Sequence, residues 1–212
     1  MIKVMITDDH QLVREGLKRI VNEDTNDIKV VQEASNSAEL LNCLTKELPD
    51  IVVLDIAMPG RGGLDVLKDI KEFYPKLPVL VLSMHPEDRF AIRAIKAGAS
   101  GYLTKTSISD ELVKAIRVIV NQKKRYISAN VAEQLAEQMD RNFAQNKHET
   151  LSDREYQILC MIASGKKSSL IAEELSLSVQ TIHTYRARLK QKMNITSVVD
   201  LTRYAIQHNL ID

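Results

Sequence analysis

The stretch that decides the fold is Ile51-Val-Val-Leu-Asp55-Ile-Ala-Met-Pro59. Its four consecutive aliphatic residues are typical of a strand that is buried on both faces of a sheet. Pro59 prevents this strand from simply continuing. We therefore expect Asp55 at the carboxyl end of a central strand, where open α/β sheets form their ligand crevices.

Three other apolar runs also lead into reactive side chains. Residues 2–7 run into Asp8-Asp9, residues 79–82 run into Ser83, and Gly101-Tyr-Leu-Thr104 is followed by Lys105. If these strands are parallel neighbours, their carboxyl ends place three carboxylates, a hydroxyl and an ammonium in one crevice.

Residues 1–125 alternate β-branched runs with amphipathic stretches, which predicts an α/β domain. Alternating order favours a parallel sheet covered by helices on both faces, and right-handed crossovers make it doubly wound. The predicted strands are 2–7, 28–34, 50–54, 78–83 and 100–104, and the predicted helices are about 10–22, 36–47, 63–73, 86–97 and 108–122.

The rest of the chain contains only helical patterns. Residues 126–147 predict a linker helix and a flexible joint within 141–149, and residues 148–212 predict an all-α helix-turn-helix domain. In that domain, Ser152 and Glu155 predict a capping box at the start of the first helix, and Gly165 predicts its end. The second helix is predicted at about 168–175. The third is predicted from the cap Ser178 to about Met193, and the fourth begins at Ser197.

Composition limits the classes of protein that remain. No apolar run approaches the ~20 residues of a membrane span, and the opening strand with two acids is unlike a signal peptide. Cys43 and Cys160 lie far apart in helical patterns, which disfavours a disulfide framework or a zinc site and fits a reducing cytoplasm. A net charge of +1 does not favour nucleic acid, so local charge must make that case.

The clustered acids predict a divalent cation, because ionising three neighbouring carboxylates without a counter-charge is costly. Mg²⁺ suits such a sparse set of oxygen ligands. We expect Asp9 and Asp55 to bind it directly, Asp8 to act through water, and the backbone carbonyl of Ala57 to add an oxygen.

A metal in the crevice would hold a phosphoryl donor and leave one carboxylate free to form an aspartyl phosphate. Lys105 would pair with Asp55 before the reaction and with the phosphoryl oxygens after it, and Ser83 would donate a hydroxyl. Taken singly, the acid pair also suits a helix N-cap, and Lys105 also suits a solvated surface. Their joint occurrence at separate strand ends favours the chemistry.

With these segments the chain resembles a two-component response regulator of the NarL/FixJ type, which joins a receiver domain to a LuxR-type helix-turn-helix. The resemblance spans essentially the whole length. The motif Thr184-Tyr-Arg186 is similar to that of the branch that contains the GacA and BvgA regulators. The segments that carry the family resemblance are Thr7-Asp-Asp-His10, Asp55-Ile-Ala-Met-Pro59 with Gly63, Val81-Leu-Ser83, Ala97-Gly-Ala-Ser-Gly-Tyr-Leu-Thr-Lys105, Leu151-Ser-Asp-Arg-Glu155, Gly165, Ile171-Ala172 and Leu175 to Lys192.

This resemblance implies a flavodoxin-like sheet in the order 2-1-3-4-5 and a transcription regulator rather than an enzyme. The receiver would catalyse only its own phosphoryl capture and slow dephosphorylation, with a sensor histidine kinase or phosphotransfer protein as donor. The implied roles are Asp55 as phosphoacceptor, Asp8 and Asp9 as the acidic Mg²⁺ pair, Lys105 as the charge partner, and Ser83 with Tyr102 as the switch pair.

The helix predicted at 179–193 is basic and contains no acid. Helical spacing assigns Ile182, Leu189 and Met193 to the core, so the opposite face is free to enter the major groove of duplex DNA. A solvated cationic face is the simpler alternative, which the preceding turn disfavours. The candidate DNA contacts are Gln180, Thr181, His183, Thr184, Arg186, Ala187, Arg188 and Lys190.

Departures from the family pattern leave the operator sequence open. Ser169-Leu170 stands where lysine and glutamate are usual, and His183 and Tyr185 stand where lysine and histidine are common. One small module makes few phosphate contacts, so a homodimer on paired half-sites is expected upon phosphorylation. The apolar positions of the last helix suit either the core or a dimer contact, and the resemblance favours Leu201 and Ala205 for the latter.

Three rival functions fit the sequence less well. A phosphohydrolase with an aspartyl phosphate usually carries Asp-x-Asp on its first strand, whereas here the acids are adjacent and the isolated Asp55 follows the third. A nucleotide- or flavin-binding domain needs a glycine-rich loop where this chain has Asp8-Asp-His-Gln11. A vestigial receiver is disfavoured by the intact set of acids, serine and lysine.

Overall fold

A computed structural model describes residues 1–23, 27–58, 62–84, 87–140, 146–208 and 210–211 of the chain. The chain divides into two compact units, Met1–Asp140 and Arg141–Asp212. Pro59 of the opening stretch and residues 141–145 of the predicted joint lie outside the described residues. Within the described ranges, no helix combines the length and the apolar composition that a bilayer crossing requires.

The first unit is built on a five-stranded parallel sheet in the order β2-β1-β3-β4-β5. Every residue of the third and fourth strands is buried, as their unbroken aliphatic runs predict. The predicted fold class and strand order are confirmed, and each strand end falls within one residue of its prediction. The strands are β1 (Ile2–Thr7), β2 (Ile28–Ala34), β3 (Ile51–Asp55), β4 (Val79–Ser83) and β5 (Gly101–Thr104).

Five helices follow the strands and cover both faces of the sheet. Right-handed crossovers in this strand order put the first and fifth helices on one face and the other three on the opposite face. Leu17 of the first helix, Ile116 of the fifth and Val53 of β3 belong to one buried apolar cluster. The helices are α1 (Gln11–Glu23), α2 (Ser37–Lys46), α3 (Gly63–Phe73), α4 (Glu87–Lys96) and α5 (Ile108–Gln122).

The segment after α5 returns to the free edge of β5, which the sequence did not predict. Tyr126 N donates to Ser100 O at 2.9 Å, and Tyr102 N donates to Tyr126 O at 3.2 Å. Gly101 permits this approach, because a Cβ there would lie 2.8 Å from Tyr126 O. The predicted linker helix follows as α6 (Ala129–Asp140), which packs against α4 and buries Val131.

The second unit is helical throughout its described elements. Ser152 and Glu155 form the predicted capping box, and Gly165 follows the first helix with φ +80°, a left-handed conformation that suits glycine. Ser178 and Ser197 cap the third and fourth helices as predicted. A 3-10 turn at Lys147–Thr150 precedes helices α7 (Asp153–Ala163), α8 (Ser168–Glu174), α9 (Val179–Met193) and α10 (Val198–Gln207).

Candidate functional site

The carboxyl ends of β1, β3 and β5 meet in a buried ion-pair network. Asp8 follows β1, Asp55 ends β3, and both side chains are fully buried. Lys105, which follows β5, places its Nζ 2.6 Å from Asp8 Oδ2 and 2.7 Å from Asp55 Oδ2. The structure therefore brings together the acids and the lysine that the sequence placed on separate strands.

Ser83 ends β4, the strand between β3 and β5, and is also fully buried. Its carbonyl oxygen accepts a hydrogen bond from Lys105 N at 2.7 Å, which ties the end of β4 to the residue that carries the ammonium. Tyr102 is 1% exposed and pairs with Val81 across β4 and β5. Both members of the predicted switch pair thus lie on adjacent strands in the core.

Burial and the ion pair act in opposite directions on the two central groups. Removal from water raises the pKa of Asp55. The charge and hydrogen bond of Lys105 and the hydrogen bond that Ala57 N donates to Asp55 lower this pKa, but they offset only part of the rise. Burial by itself would lower the pKa of Lys105, but the two carboxylates outweigh it and raise this pKa. Lys105 therefore stays an ammonium beside a carboxyl that ionises at a cost.

The turn after β1 adds donor atoms that could hold a metal. Ligand atoms of Asp8, Asp9, His10 and Asp55 all lie within 4.8 Å of one another. Asp9 Oδ1 is buried, and no hydrogen-bond donor among the described residues reaches it with suitable geometry. A buried carboxylate oxygen without a donor fits a cation ligand, so the donor set suits the expected Mg²⁺.

His10 and Arg14 belong to this site although the sequence did not single them out. His10 N donates to Asp8 Oδ1 at 2.9 Å, and Arg14 Nη1 donates to the Asp8 carbonyl oxygen at 2.7 Å. Arg14 Nε also lies 3.8 Å from Glu33 Oε2 on β2. The residue just before α1 thus fixes the side chain of Asp8, and the first turn of α1 fixes its backbone. The only sequence signal was their proximity to the acid pair.

The turn after β3 is shaped by close packing with α3. Ala57 N donates to Asp55 Oδ1 at 2.9 Å, while a metal contact of the Ala57 carbonyl stays a prediction. A Cβ on Gly63 would lie 2.8 Å from Asp55 O and closer still to Ile56 Cα. Glycine at the first position of α3 therefore allows this helix to begin against the backbone of the candidate phosphoacceptor.

The basic helix α9 buries the three residues that helical spacing assigned to the core, Ile182, Leu189 and Met193. Two of the predicted DNA contacts make side-chain hydrogen bonds within the second unit. Thr181 Oγ1 lies 2.8 Å from the capping Ser178 Oγ, and Arg186 Nη1 donates to Ser168 Oγ on α8 at 3.0 Å. The other predicted contacts are exposed, namely Gln180, His183, Thr184, Ala187, Arg188 and Lys190.

The last helix buries both residues that were predicted as dimer contacts. Leu201 is 6% exposed and Ala205 is fully buried, on a helix that packs against α7. The exposed large apolar residues of α10 are Val198 at 37%, Val199 at 68% and Ile206 at 52%. Core packing, the other alternative from the sequence, accounts for Leu201 and Ala205 in the single chain.

Comparison with known proteins agrees with this architecture. Residues 4–117 match the response regulator receiver domain, and residues 149–205 match the bacterial regulatory proteins of the luxR family. The response regulator UvrY of Escherichia coli (strain K12) is 39% identical over 99% of this chain and 96% of its own. The response regulator GacA of Pseudomonas aeruginosa is 39% identical over 100% of this chain and 99% of its own. The solved complex of the response regulator RcsB with DNA has a TM-score of 0.59 and 26% identity, and covers 96% of each chain.

Proposed function

The chain belongs to the two-component response regulators that join a receiver to a LuxR-type DNA-binding domain, and from this we propose that phosphorylation of Asp55 controls its binding to duplex DNA. The family consists of transcription regulators rather than enzymes. The observation that carries the proposal is the contact of Lys105 Nζ with the buried carboxylates of Asp8 and Asp55. It places an ammonium where a transferred phosphoryl group would develop negative charge.

Asp55 is the proposed nucleophile. One of its carboxylate oxygens attacks the phosphorus of a donor phosphohistidine while the P–N bond breaks, and the donor imidazole keeps the electron pair. The product is an aspartyl phosphate, and Lys105 then transfers its ion pair from the carboxylate to the phosphoryl oxygens. Asp8, Asp9 and Asp55, with the carbonyl of Ala57, would hold Mg²⁺, which supplies positive charge to the phosphoryl oxygens when bound.

This step is tested with acetyl phosphate and Mg²⁺, followed by intact mass measurement of the full chain. We expect a single phosphoryl adduct on the wild type, none on Asp55→Asn, and the wild-type yield on Asp110→Asn, which removes an exposed acid on α5. An adduct that persists on Asp55→Asn, or no adduct on the wild type, would contradict the proposal.

Ser83 and Tyr102 are proposed to carry the change from the crevice to the linker. A phosphorylated Asp55 offers acceptor oxygens to the Ser83 hydroxyl. The backbone carbonyl oxygen of Ser83 already accepts a hydrogen bond from Lys105 N. A shift of β5 would reach the linker directly, because Tyr102 N donates to Tyr126 O just before α6. Ser83→Ala should accept a phosphoryl group yet lose the gain in DNA affinity, and a wild-type gain in that variant would contradict this path.

The exposed face of α9 is proposed to enter the major groove. Gln180, His183 and Thr184 would contact base edges, while Arg188 and Lys190 would contact phosphates. Thr181 and Arg186 would add DNA contacts with the side-chain atoms that are not already hydrogen-bonded to Ser178 and Ser168. Ala187 is the remaining exposed contact candidate and would offer its methyl group to a thymine.

The active form is proposed to be a homodimer on two half-sites, because a single module of this size makes few phosphate contacts. Since Leu201 and Ala205 are buried in the single chain, a contact through α10 would begin with its two most exposed apolar residues, Val199 and Ile206. The proposed donor is a sensor histidine kinase or phosphotransfer protein, and the proposed compartment is the cytoplasm, where such donors and DNA meet.

A further inference from the structure

The imidazole of His10 lies among the acids of the crevice in an arrangement that a magnesium site does not need. Its Nδ1 is 3.0 Å from Asp9 Oδ1 and 3.3 Å from Asp8 Oδ1. We propose that His10 is a further ligand of this site and selects transition ions such as Mn²⁺ and Co²⁺ over Mg²⁺. This inference rests on the metal site of the proposed function and adds a nitrogen ligand to it.

The spacing of these atoms is that of neighbouring ligands on one ion. With metal–ligand distances of about 2.1 Å, adjacent ligand atoms lie about 3.0 Å apart in octahedral geometry. At about 2.0 Å in tetrahedral geometry they lie about 3.3 Å apart. The 3.0 Å between His10 Nδ1 and Asp9 Oδ1 matches the octahedral separation, so one six-coordinate ion can contact the imidazole and this carboxylate without a large movement of the turn.

Hydrogen bonding accounts for only part of this arrangement. Asp8 Oδ1 accepts the backbone N–H of His10 at 2.9 Å, and in one tautomer it also accepts the ring N–H. Asp9 Oδ1 lies nearer to the ring nitrogen, yet it is buried and no donor among the described residues reaches it with suitable geometry. In the tautomer that leaves Nδ1 unprotonated, its lone pair and the Asp9 carboxylate oxygen converge, and this arrangement favours a cation between them.

The turn that carries His10 is held in place before any ion binds. Arg14 Nη1 donates to the Asp8 carbonyl oxygen at 2.7 Å, and Val13 N donates to the His10 carbonyl oxygen at 3.1 Å. The His10 side chain itself is 68% exposed, so little has to be displaced for it to bind. A nitrogen ligand adds more to the binding of a transition ion than to the binding of Mg²⁺, which prefers oxygen, and His10 would therefore shift the selectivity of the site.

Electron spin echo measurements on Mn²⁺ test this directly, because they detect the ¹⁴N nucleus of a coordinated imidazole. They would be made on the full chain as wild type, His10→Ala and His10→Gln. The control is His208→Ala, which removes an exposed histidine of the second unit. We expect nitrogen modulation in the wild type and the control and none in either His10 variant. Titrations should show Mn²⁺ affinity falling tenfold or more in the His10 variants, and Mg²⁺ affinity changing less than threefold.

Two results would overturn the inference. One is the absence of nitrogen modulation on wild-type Mn²⁺, or its persistence in His10→Ala. The other is an equal loss of Mn²⁺ and Mg²⁺ affinity, which would mean that His10 only steadies Asp8 through hydrogen bonds. The Mg²⁺-dependent phosphoryl adduct, measured on the same wild-type preparation, keeps the two proposals apart. If the adduct forms, the proposed function stands even where the role of His10 fails.

Discussion

Asp55 is buried in the fold as a carboxyl that ionises at a cost. Burial raises its pKa, and the contacts with Lys105 and Ala57 offset only part of that effect. A buried ion pair of this kind contributes little net stability, because desolvation opposes the attraction between the charges. The arrangement is better explained by function, because the carboxylates offer negative charge to a cation and the Lys105 ammonium offers positive charge to a phosphoryl group.

Asp55→Asn is therefore expected to raise the free energy of unfolding of the receiver at pH 7 without divalent cations. The gain arises because a neutral amide in this buried position has no charge to remove from water. A carboxyl with a raised folded-state pKa contributes stability below its unfolded-state pKa and loses it as pH rises through the folded value. The advantage of the variant should thus widen as the pH rises above about 4.

Calorimetry of the full chain in a chelator, at several pH values, measures this effect in the receiver transition. Asp110→Asn serves as the matched control, because its carboxylate is exposed and should give no comparable gain. An Asp55→Asn protein that is less stable than the wild type at pH 7 would mean that the Lys105 contact outweighs the burial cost.

Part of this site could be predicted residue by residue. Asp8, Asp55, Ser83 and Lys105 were placed correctly because parallel strands bring their carboxyl ends to one edge. His10 and Arg14 were missed, since their contacts with Asp8 depend on how the turn after β1 folds back on itself. Apolar spacing does not separate a core face from a dimer face, so it left the location of Leu201 and Ala205 open.

At the scale of elements, the start of α3 is bound to the backbone of Asp55. Gly63→Ala would place a Cβ 2.8 Å from Asp55 O, against backbone atoms that cannot move aside cheaply. We expect a loss of about 2 kcal/mol from overpacking and a lower yield of the phosphoryl adduct. Gly16→Ala in α1 meets no atom within 4 Å and should instead stabilise the receiver by about 0.5 kcal/mol.

Calorimetry and intact mass measurement on both glycine variants separate the two effects. Equal stability of the Gly63→Ala and Gly16→Ala proteins would show that the turn after β3 adapts to the added methyl group.

Two lysines of α9 make a matched pair for its DNA contacts. Lys190 is exposed, whereas Lys192 Nζ lies 2.7 Å from Glu155 Oε2, whose side chain is only 5% exposed. Lys190→Ala should weaken DNA binding and reduce the salt dependence by about one phosphate contact. Lys192→Ala should lower the melting temperature of the second unit, because it leaves the buried Glu155 carboxylate without its cation.

Titrations at several salt concentrations with duplexes selected from a random pool give the DNA affinity of each variant and the salt dependence of that affinity. A salt slope that changes in Lys192→Ala and not in Lys190→Ala would reverse the assignment of the two side chains.

At the scale of the whole molecule, the order of elements was predictable because hydrophobic periodicity changes sharply along the chain. Strands β3 and β4 begin with four consecutive aliphatic residues, and helices α7, α9 and α10 of the second unit begin at serine caps. The return of Tyr126 to β5 was not predictable, since no local pattern marks a single backbone pairing at a sheet edge. That pairing gives the linker a direct bond to the strand of Tyr102.

The account holds that a phosphoryl group on Asp55 switches DNA binding, and the affinity for a selected duplex measures this most directly. The full chain would be titrated before and after treatment with acetyl phosphate and Mg²⁺, as wild type and as Asp55→Asn. We predict that affinity rises tenfold or more for the phosphorylated wild type and stays unchanged for Asp55→Asn. A wild-type protein that carries the adduct without a gain in affinity, or an equal gain in Asp55→Asn, would contradict the account.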